Sequence, residues 1–281
     1  VERQRAVYRS LLEDVDEADR PRFEPPEMPN DPAEAAVVAR RWLGLGDRND
    51  FDSYRRSVES NGILVFRTNG YAGRWQIARE SPVLGFALYD PVLPVIVVKR
   101  QAAETRQSFT LMHELGHVLL HRTSSVDDET DLRSTQGMER AANRFAAHVL
   151  VPDAALKAIA DVGRPVDVAG LDEWLRPQRK TWGVSAEVIL VRLVETGRLP
   201  QSVVDDYRAW WRVRPQVQAG DESGSRAYRY REPRHLFGDR YVRTVLGALS
   251  ARRISLNKAS DYLDGLKLSD LHKLERFCAD A

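Results

Sequence analysis

Between Thr105 and Leu120 the chain carries Phe109, Leu111, Met112, Leu115, Val118, Leu119 and Leu120, spread around every side of a helix, with His113, Glu114 and His117 among them. A helix that is apolar all round is buried, and polar side chains within it must be paired or bound to a metal. This stretch therefore sets the centre of the fold, because other elements have to cover it on every side. The two histidines, four residues apart, project about 40° from one another on one helix face, so both imidazoles reach a single Zn2+ at roughly 2.0 to 2.1 Å. Glu114, about 100° round from His113, points beside such an ion, where a carboxylate can take a proton from an attacking water. Gly116 costs about 1 kcal/mol against Ala inside a helix, so its place between the histidines predicts close approach of another element.

A catalytic zinc needs a third protein ligand and an open position. One class of zinc site takes a His six residues beyond the second histidine; that position is Thr123, which excludes the class. Glu139, twenty-two residues after His117, opens a helix predicted over Gly137 to Leu150 and is the preferred third ligand. Asn143 and Ala146 share its face with Ala142 nearby, and the two alanines leave room for a second helix. His148 lies about 180° round from Glu139 and does not share that face. The acidic loop residues Asp127, Asp128, Glu129 and Asp131 are weaker competitors. A first-turn Glu at 139 also has the plainer role of complementing the helix dipole. His121, four residues after His117, and Asn143, one turn after Glu139, are candidates for hydrogen bonding behind the ligands. Their simpler roles are an ordinary histidine at a helix C-terminus and a partner for a buried backbone group. Mn2+ or Fe2+ can occupy a similar ligand set.

Ahead of this helix, short apolar runs at Ile63 to Phe66, Trp75 to Ala78, Leu84 to Tyr89 and Val95 to Lys99 predict three or four strands, the last two forming an antiparallel hairpin. Pro94 cannot donate to a ladder, which predicts an exposed sheet edge nearby. Helices are predicted over Val1 to Asp19, from Asp31-Pro32 through Leu43, and from Asp50 to the stop at Asn61-Gly62. Pro21, Pro25, Pro26 and Pro29 make an extended connector between the first two. After Arg100 the periodicity is helical: Asp153 to Ala160, Ser185 to Glu195, Gln201 to Trp210, Asp239 to Leu249, Ser255 to Leu263 and Ser269 to Phe277. Arg214 to Arg234 has no apolar period and reads as a linker.

The whole is α+β, a mainly helical zincin-like core with a small, largely antiparallel sheet of three to four strands and a helical C-terminal domain. Domain boundaries are expected at 1–31 for the N-terminal helix and connector, 32–200 for the metal-binding domain and 201–281 for the C-terminal domain.

Forty-two basic against forty-one acidic residues leave the 281-residue chain near neutral, which excludes a wholesale polyanion binder. The longest apolar runs fall short of the roughly 20 residues of a membrane span, so no membrane role is expected. One cysteine, Cys278, and no signal pattern point to a reducing cytoplasm. The chain opens on Val1, as expected of a processed or trimmed chain. Charge is uneven within it: Arg226 to Lys258 holds nine basic side chains against Glu232 and Asp239, with Tyr228, Tyr230 and Tyr241 interleaved. Such a stretch offers a weak DNA contact, or simply a solvated basic face. Trp174, Trp182, Trp210 and Trp211 are expected in the core.

The run Arg106 to His121, with Glu139 to Ala147 and then Leu150-Val151-Pro152, resembles the ImmA/IrrE family of metallopeptidases over about Ala33 to Gly197. The resemblance implies zinc on His113, His117 and Glu139, with Glu114 as the catalytic base. It also implies an endopeptidase that cleaves a partner repressor carrying a helix-turn-helix domain, in stress responses and mobile elements. Many longer members carry a helix-turn-helix domain of their own; nothing in Val1 to Asp31 resembles one. His148 stands where the family often has an acidic residue. The competing class is a non-proteolytic regulatory or DNA-binding module whose zinc site is structural or vestigial.

Overall fold

One four-stranded sheet divides the molecule into two packed halves. In the computed structural model, residues 1–13, 22–47, 49–69, 74–78, 80–134, 136–213 and 226–279 are described. Strands β1 (Leu64–Arg67), β2 (Val83–Leu88), β3 (Val95–Val98) and β4 (Ser125–Asp128) lie in the order β1-β3-β2-β4. β1 runs parallel to β3; β2 is antiparallel to both β3 and β4. The α+β expectation and the β2–β3 hairpin are thus met, in a mixed sheet.

Two strand expectations change. Trp75 to Ala78 is not a strand; the Trp75 ring is buried edge-on against Phe66 and Phe237, with centroids 5.6 and 4.9 Å away. The fourth strand comes instead from Ser125–Asp128, inside the acidic run that reads as a loop. Pro94 precedes β3 and costs the ladder nothing, since its carbonyl accepts from Leu64 N at 3.0 Å. Its neighbours form an interior strand, and the sheet ends at β1 and β4.

The helices are α1 (Glu2–Glu13), α2 (Pro32–Leu43), α3 (Phe51–Ser60), α4 (Glu104–Gly116), α5 (Gly137–Leu150), α6 (Asp153–Leu156), α7 (Leu171–Trp174), α8 (Arg176–Trp182), α9 (Ala186–Glu195), α10 (Gln201–Val213), α11 (Glu232–Ser250), α12 (Leu256–Tyr262) and α13 (Leu268–Ala279). Their starts follow the expected chemistry. Asp31 accepts from Ala33 N and Glu34 N ahead of Pro32, Asp50 and Ser53 close a capping box, and Ser185 caps α9. Residues 14–21 and 214–225 lie outside the described residues, so the end of the first predicted helix and most of the linker are not placed. Asp153 to Ala160 forms only the short α6, while α7 and α8 fall in a stretch whose apolar residues show no clear period.

Alternation along the strands sorts the core into two clusters. Val65, Ala87, Ile96 and Val98 face α2 to α5, α9 and α10. Leu64, Phe66, Val95 and Val97 face α1 and α11 to α13. Continuous apolar strands such as Val95-Ile96-Val97-Val98 are what a sheet covered on both sides requires. The two halves are tied together at α3 and α11. Buried Glu59 accepts from Arg55 Nε at 2.9 Å, and Arg55 donates on to the carbonyl of His235 at 2.8 Å. α11 breaks at Gly238, whose φ of 80° is left-handed, and any side chain there would collide with Glu59. Among the described residues no helix is long and apolar enough to cross a membrane. Trp182 is buried, Trp174 and Trp210 pack against the first cluster, and Trp211 is 39% exposed.

Candidate metal centre

α4 brings the motif to the middle of the molecule, packed against β2 and β3 on one side and α5 on the other. His113, Glu114 and His117 are all fully buried. The close approach expected at Gly116 comes from α5: a Cβ at Gly116 would meet Ala142 Cα and Phe145 Cδ1 at 3.2 Å. Past Gly116 the helix widens into a π-turn over His117–His121 that ends at Arg122 in the left-handed region, φ 51°. Such turns are frequent at functional sites. No residue type in the run marks it in advance.

The structure brings His113, His117 and Glu139 together. His113 Nε2 and His117 Nε2 are 3.1 Å apart, and Glu139 Oε2 lies 3.2 and 3.3 Å from them. Asp127, from β4, joins them with its Oδ2 at 3.5 and 3.6 Å from the same two nitrogens. One ligand atom from each of the four residues lies within 4.8 Å of the others. Asp128, Glu129 and Asp131 do not belong to this group. His148 stands apart from it, its Nε2 3.0 Å from Glu195 Oε2.

Asn143 sits behind His113 rather than behind Glu139. Its Nδ2 donates to the carbonyls of Asp131 and Ser134 at 2.9 and 3.2 Å, so its Oδ1 is the atom facing His113 Nδ1 at 2.9 Å. That oxygen can only accept, which puts the His113 proton on Nδ1 and leaves Nε2 a bare lone pair. His121 stands behind His117, with the two Nδ1 atoms 3.1 Å apart, so one donates to the other. Glu114 Oε2 accepts from Ser125 Oγ at 2.8 Å. The other oxygen of Glu114 lies over Gly85 of β2, where a Cβ would approach it to 2.7 Å. Sequence reasoning missed Ser125 and Gly85 and ranked Asp127 low. The one available signal was the two-residue spacing of Ser125 and Asp127 about Val126, a strand alternation inside an acidic run.

The residues fit a divalent cation. Glu139 Oε2 and Asp127 Oδ2 are buried with no hydrogen-bond partner among the described residues, and both point at the paired histidine nitrogens. Buried lone pairs that converge without a donor are costly unless a positive ion stands between them. The electrostatics agree. Burial alone would lower the pKa of His113, but contact with Asp127 and Glu139 outweighs it and raises the group above its ordinary value. The same contact with His113 holds Glu139 below the usual carboxylate range. Burial lowers His117, with His113 adding to the effect. Burial, reinforced by the Asp127 charge, pushes Glu114 well above an ordinary glutamate.

Residues 59–194 match the model of the M78 peptidase family, described as the IrrE N-terminal-like domain. Over this segment, just under half of the chain, the sequence is similar to the ImmA/IrrE family of metallopeptidases. No curated protein matches the chain. The ImmA/IrrE segment runs from the last turn of α3 to the last turn of α9. It takes in the whole sheet, α4, α5 and all four residues of the cluster, and begins later than the resemblance read from Ala33 onward.

Outside this segment, several side chains of the basic stretch are engaged internally. Arg234 pairs with Asp239 at 2.7 Å, Arg240 donates to Tyr8 Oη at 2.7 Å, and Arg229 lies 3.7 Å from Glu232. Tyr241 is fully buried between Tyr8 and Phe237.

Proposed function

We propose that the chain is a zinc-dependent endopeptidase that cleaves a partner helix-turn-helix transcriptional repressor and so relieves repression, in a stress response or in the control of a mobile element. The observation that carries the peptidase reading is the convergence of His113, His117 and Glu139 with the buried carboxylate of Glu114 beside them. The match of residues 59–194 to the M78 peptidase family supports it, and the repressor substrate follows from the family resemblance alone.

His113, His117 and Glu139 would hold the ion, with Asn143 fixing the His113 tautomer and His121 hydrogen-bonded behind His117. When bound, zinc supplies Lewis acidity toward a peptide carbonyl and toward water. Glu114 takes the proton of the attacking water and passes it to the leaving amine. Burial and the Asp127 charge raise its pKa well above that of an ordinary glutamate, which strengthens it as a base for that proton. Ser125 holds one oxygen of Glu114, and Gly85 leaves room for the other, so the carboxylate keeps one position through both transfers. An extended substrate segment pairs with a free sheet edge in this reading. β2 and β3 are both interior strands, so the edge beside the cluster is that of β4 rather than the Leu84 to Lys99 edge expected from sequence.

The test is incubation of the zinc-loaded chain with the helix-turn-helix protein encoded beside it. A discrete pair of fragments, absent with Glu114→Gln, is expected. An intact partner after prolonged incubation with zinc-loaded protein rules out the substrate assignment.

A further inference from the structure

We propose that Asp127 is a fourth protein ligand of the metal centre, so that the resting site is closed by His113, His117, Glu139 and Asp127 and admits water only when the Asp127 carboxylate gives up its place. The inference rests on the metallopeptidase reading above.

The geometry is that of four vertices around one point. Ligand atoms at 2.0 to 2.1 Å from a tetrahedral zinc are roughly 3.3 to 3.4 Å from one another. The five measured separations here are 3.1 Å between the histidine nitrogens, 3.2 and 3.3 Å to Glu139, and 3.5 and 3.6 Å to Asp127. The sixth, between the two carboxylates, is within 4.8 Å. Asp127 is as well placed as Glu139 to within a few tenths of an ångström, and it stands at the vertex that a catalytic site would leave to water.

Burial separates Asp127 from an incidental acidic neighbour. The residue is 3% exposed, and its Oδ2 has no hydrogen-bond partner among the described residues. A carboxylate in that setting needs a positive charge or a shared proton opposite it; its neighbours are His113, His117 and Glu114, and no Lys or Arg among the described residues pairs with it. The adjacent Val126, pointing to the opposite face of the strand, is 66% exposed. The chain therefore buries the charged residue and exposes the apolar one, the reverse of what burial energies favour in a strand without a ligand to hold.

The position of Asp127 also supplies the means of release. It lies on β4, an edge strand bonded on one side only, and the pairing of β4 with β2 is irregular between Val83 and Gly85. Opening exchanges one carboxylate ligand for one water, with no covalent bond made or broken. A segment that pairs with the outer edge of β4 acts on the very strand that carries the closing ligand.

The test uses Co2+ alone on the full chain, read by its visible absorption, together with zinc affinity measured by chelator competition. Wild-type protein is expected to give an intense four-coordinate spectrum that azide does not change. Asp127→Ala is expected to bind zinc at least tenfold more weakly and to acquire an azide-sensitive spectrum as the fourth position opens. Asp127→Asn, which keeps the shape of the side chain, should fall between the two, with circular dichroism of both variants matching wild type. An azide-induced change in wild-type protein overturns the proposal, as does unchanged zinc affinity in Asp127→Ala. Equal Co2+ uptake by wild type and by His113→Ala/His117→Ala would remove the metallopeptidase reading itself, and the inference with it.

Discussion

Gly85 leaves the space that Glu114 occupies: a Cβ on residue 85 would stand 2.7 Å from Glu114 Oε1 and 2.5 Å from Thr110 Cγ2. A strand residue on β2 thus sets where the carboxylate beside the two histidines can lie. Gly85→Ala must push either α4 or the Glu114 side chain aside. Overpacking of this kind costs about 1 to 3 kcal/mol. The expected outcome is a lowered thermal midpoint, retained zinc and a larger loss of cleavage than the loss of stability explains. Full activity in Gly85→Ala would show that the position of Glu114 is not critical.

Glu114→Gln keeps the size of the side chain and can still meet Ser125 Oγ, but it cannot take a proton. Zinc content should match wild type while the single-turnover cleavage rate falls about 10²- to 10⁴-fold, the usual contribution of a general base. Metal analysis beside the rate measurement separates this outcome from simple loss of the ion.

Asn143 acts on the ion through His113. Removing its Oδ1 by Asn143→Ala frees the imidazole to rotate and to exchange tautomers, and loss of such a partner typically costs 10- to 100-fold in metal affinity. Chelator competition should show that weakening. Asn143→Asp, which restores an acceptor at the same place, should recover most of it. Equal affinity in all three proteins would mean that the 2.9 Å contact is incidental.

The stability of the metal-free chain should fall on acidification earlier than its carboxylates alone would dictate. Burial, with the charges of Arg67 and Arg55 beside it, depresses His235 to about 3, against an ordinary value near 6.5. Between these values the unfolded chain binds a proton that the folded chain refuses. Stability is therefore full above about pH 6.5 and declines as the pH falls toward 3, by up to about 1.4 kcal/mol per pH unit for this one group. His235→Gln should flatten the decline between about pH 6.5 and 4.5, where most carboxylates are still ionised. Denaturant titrations at several pH values measure it, and parallel curves for the two proteins would assign the decline to other groups.

What could be read in advance follows from how local each signal is. The apolar helix around His113, the 3.6-residue period that sets Glu139, Asn143 and Ala146 on one face of α5, and the caps at Asp31, Asp50 and Ser185 are all decided within about one helical turn. Those features stand as expected, and the close approach of another element expected at Gly116 is met by Ala142 of α5. β4 was opaque because an edge strand of four residues needs only two inward side chains, and Ser125 and Asp127 are polar for the sake of the site rather than apolar for the core. Trp75 looked like part of a strand because an aromatic residue in an apolar run is also what a ring packed between Phe66 and Phe237 requires. The π-turn after Gly116 arises from long-range packing and leaves no local mark.

The two buried faces of the sheet have a practical consequence for anyone who would excise the catalytic portion. The family boundary at residues 59 and 194 encloses the cluster, but cutting there would strip α1 and α11 to α13 from Leu64, Phe66, Val95 and Val97 and leave that side wet. It would also delete Arg55, and with it the charge that accompanies Glu59 in the interior. The unit that the family model spans is thus smaller than the unit that can stand in water, and a truncation at residues 59 and 194 should yield insoluble material.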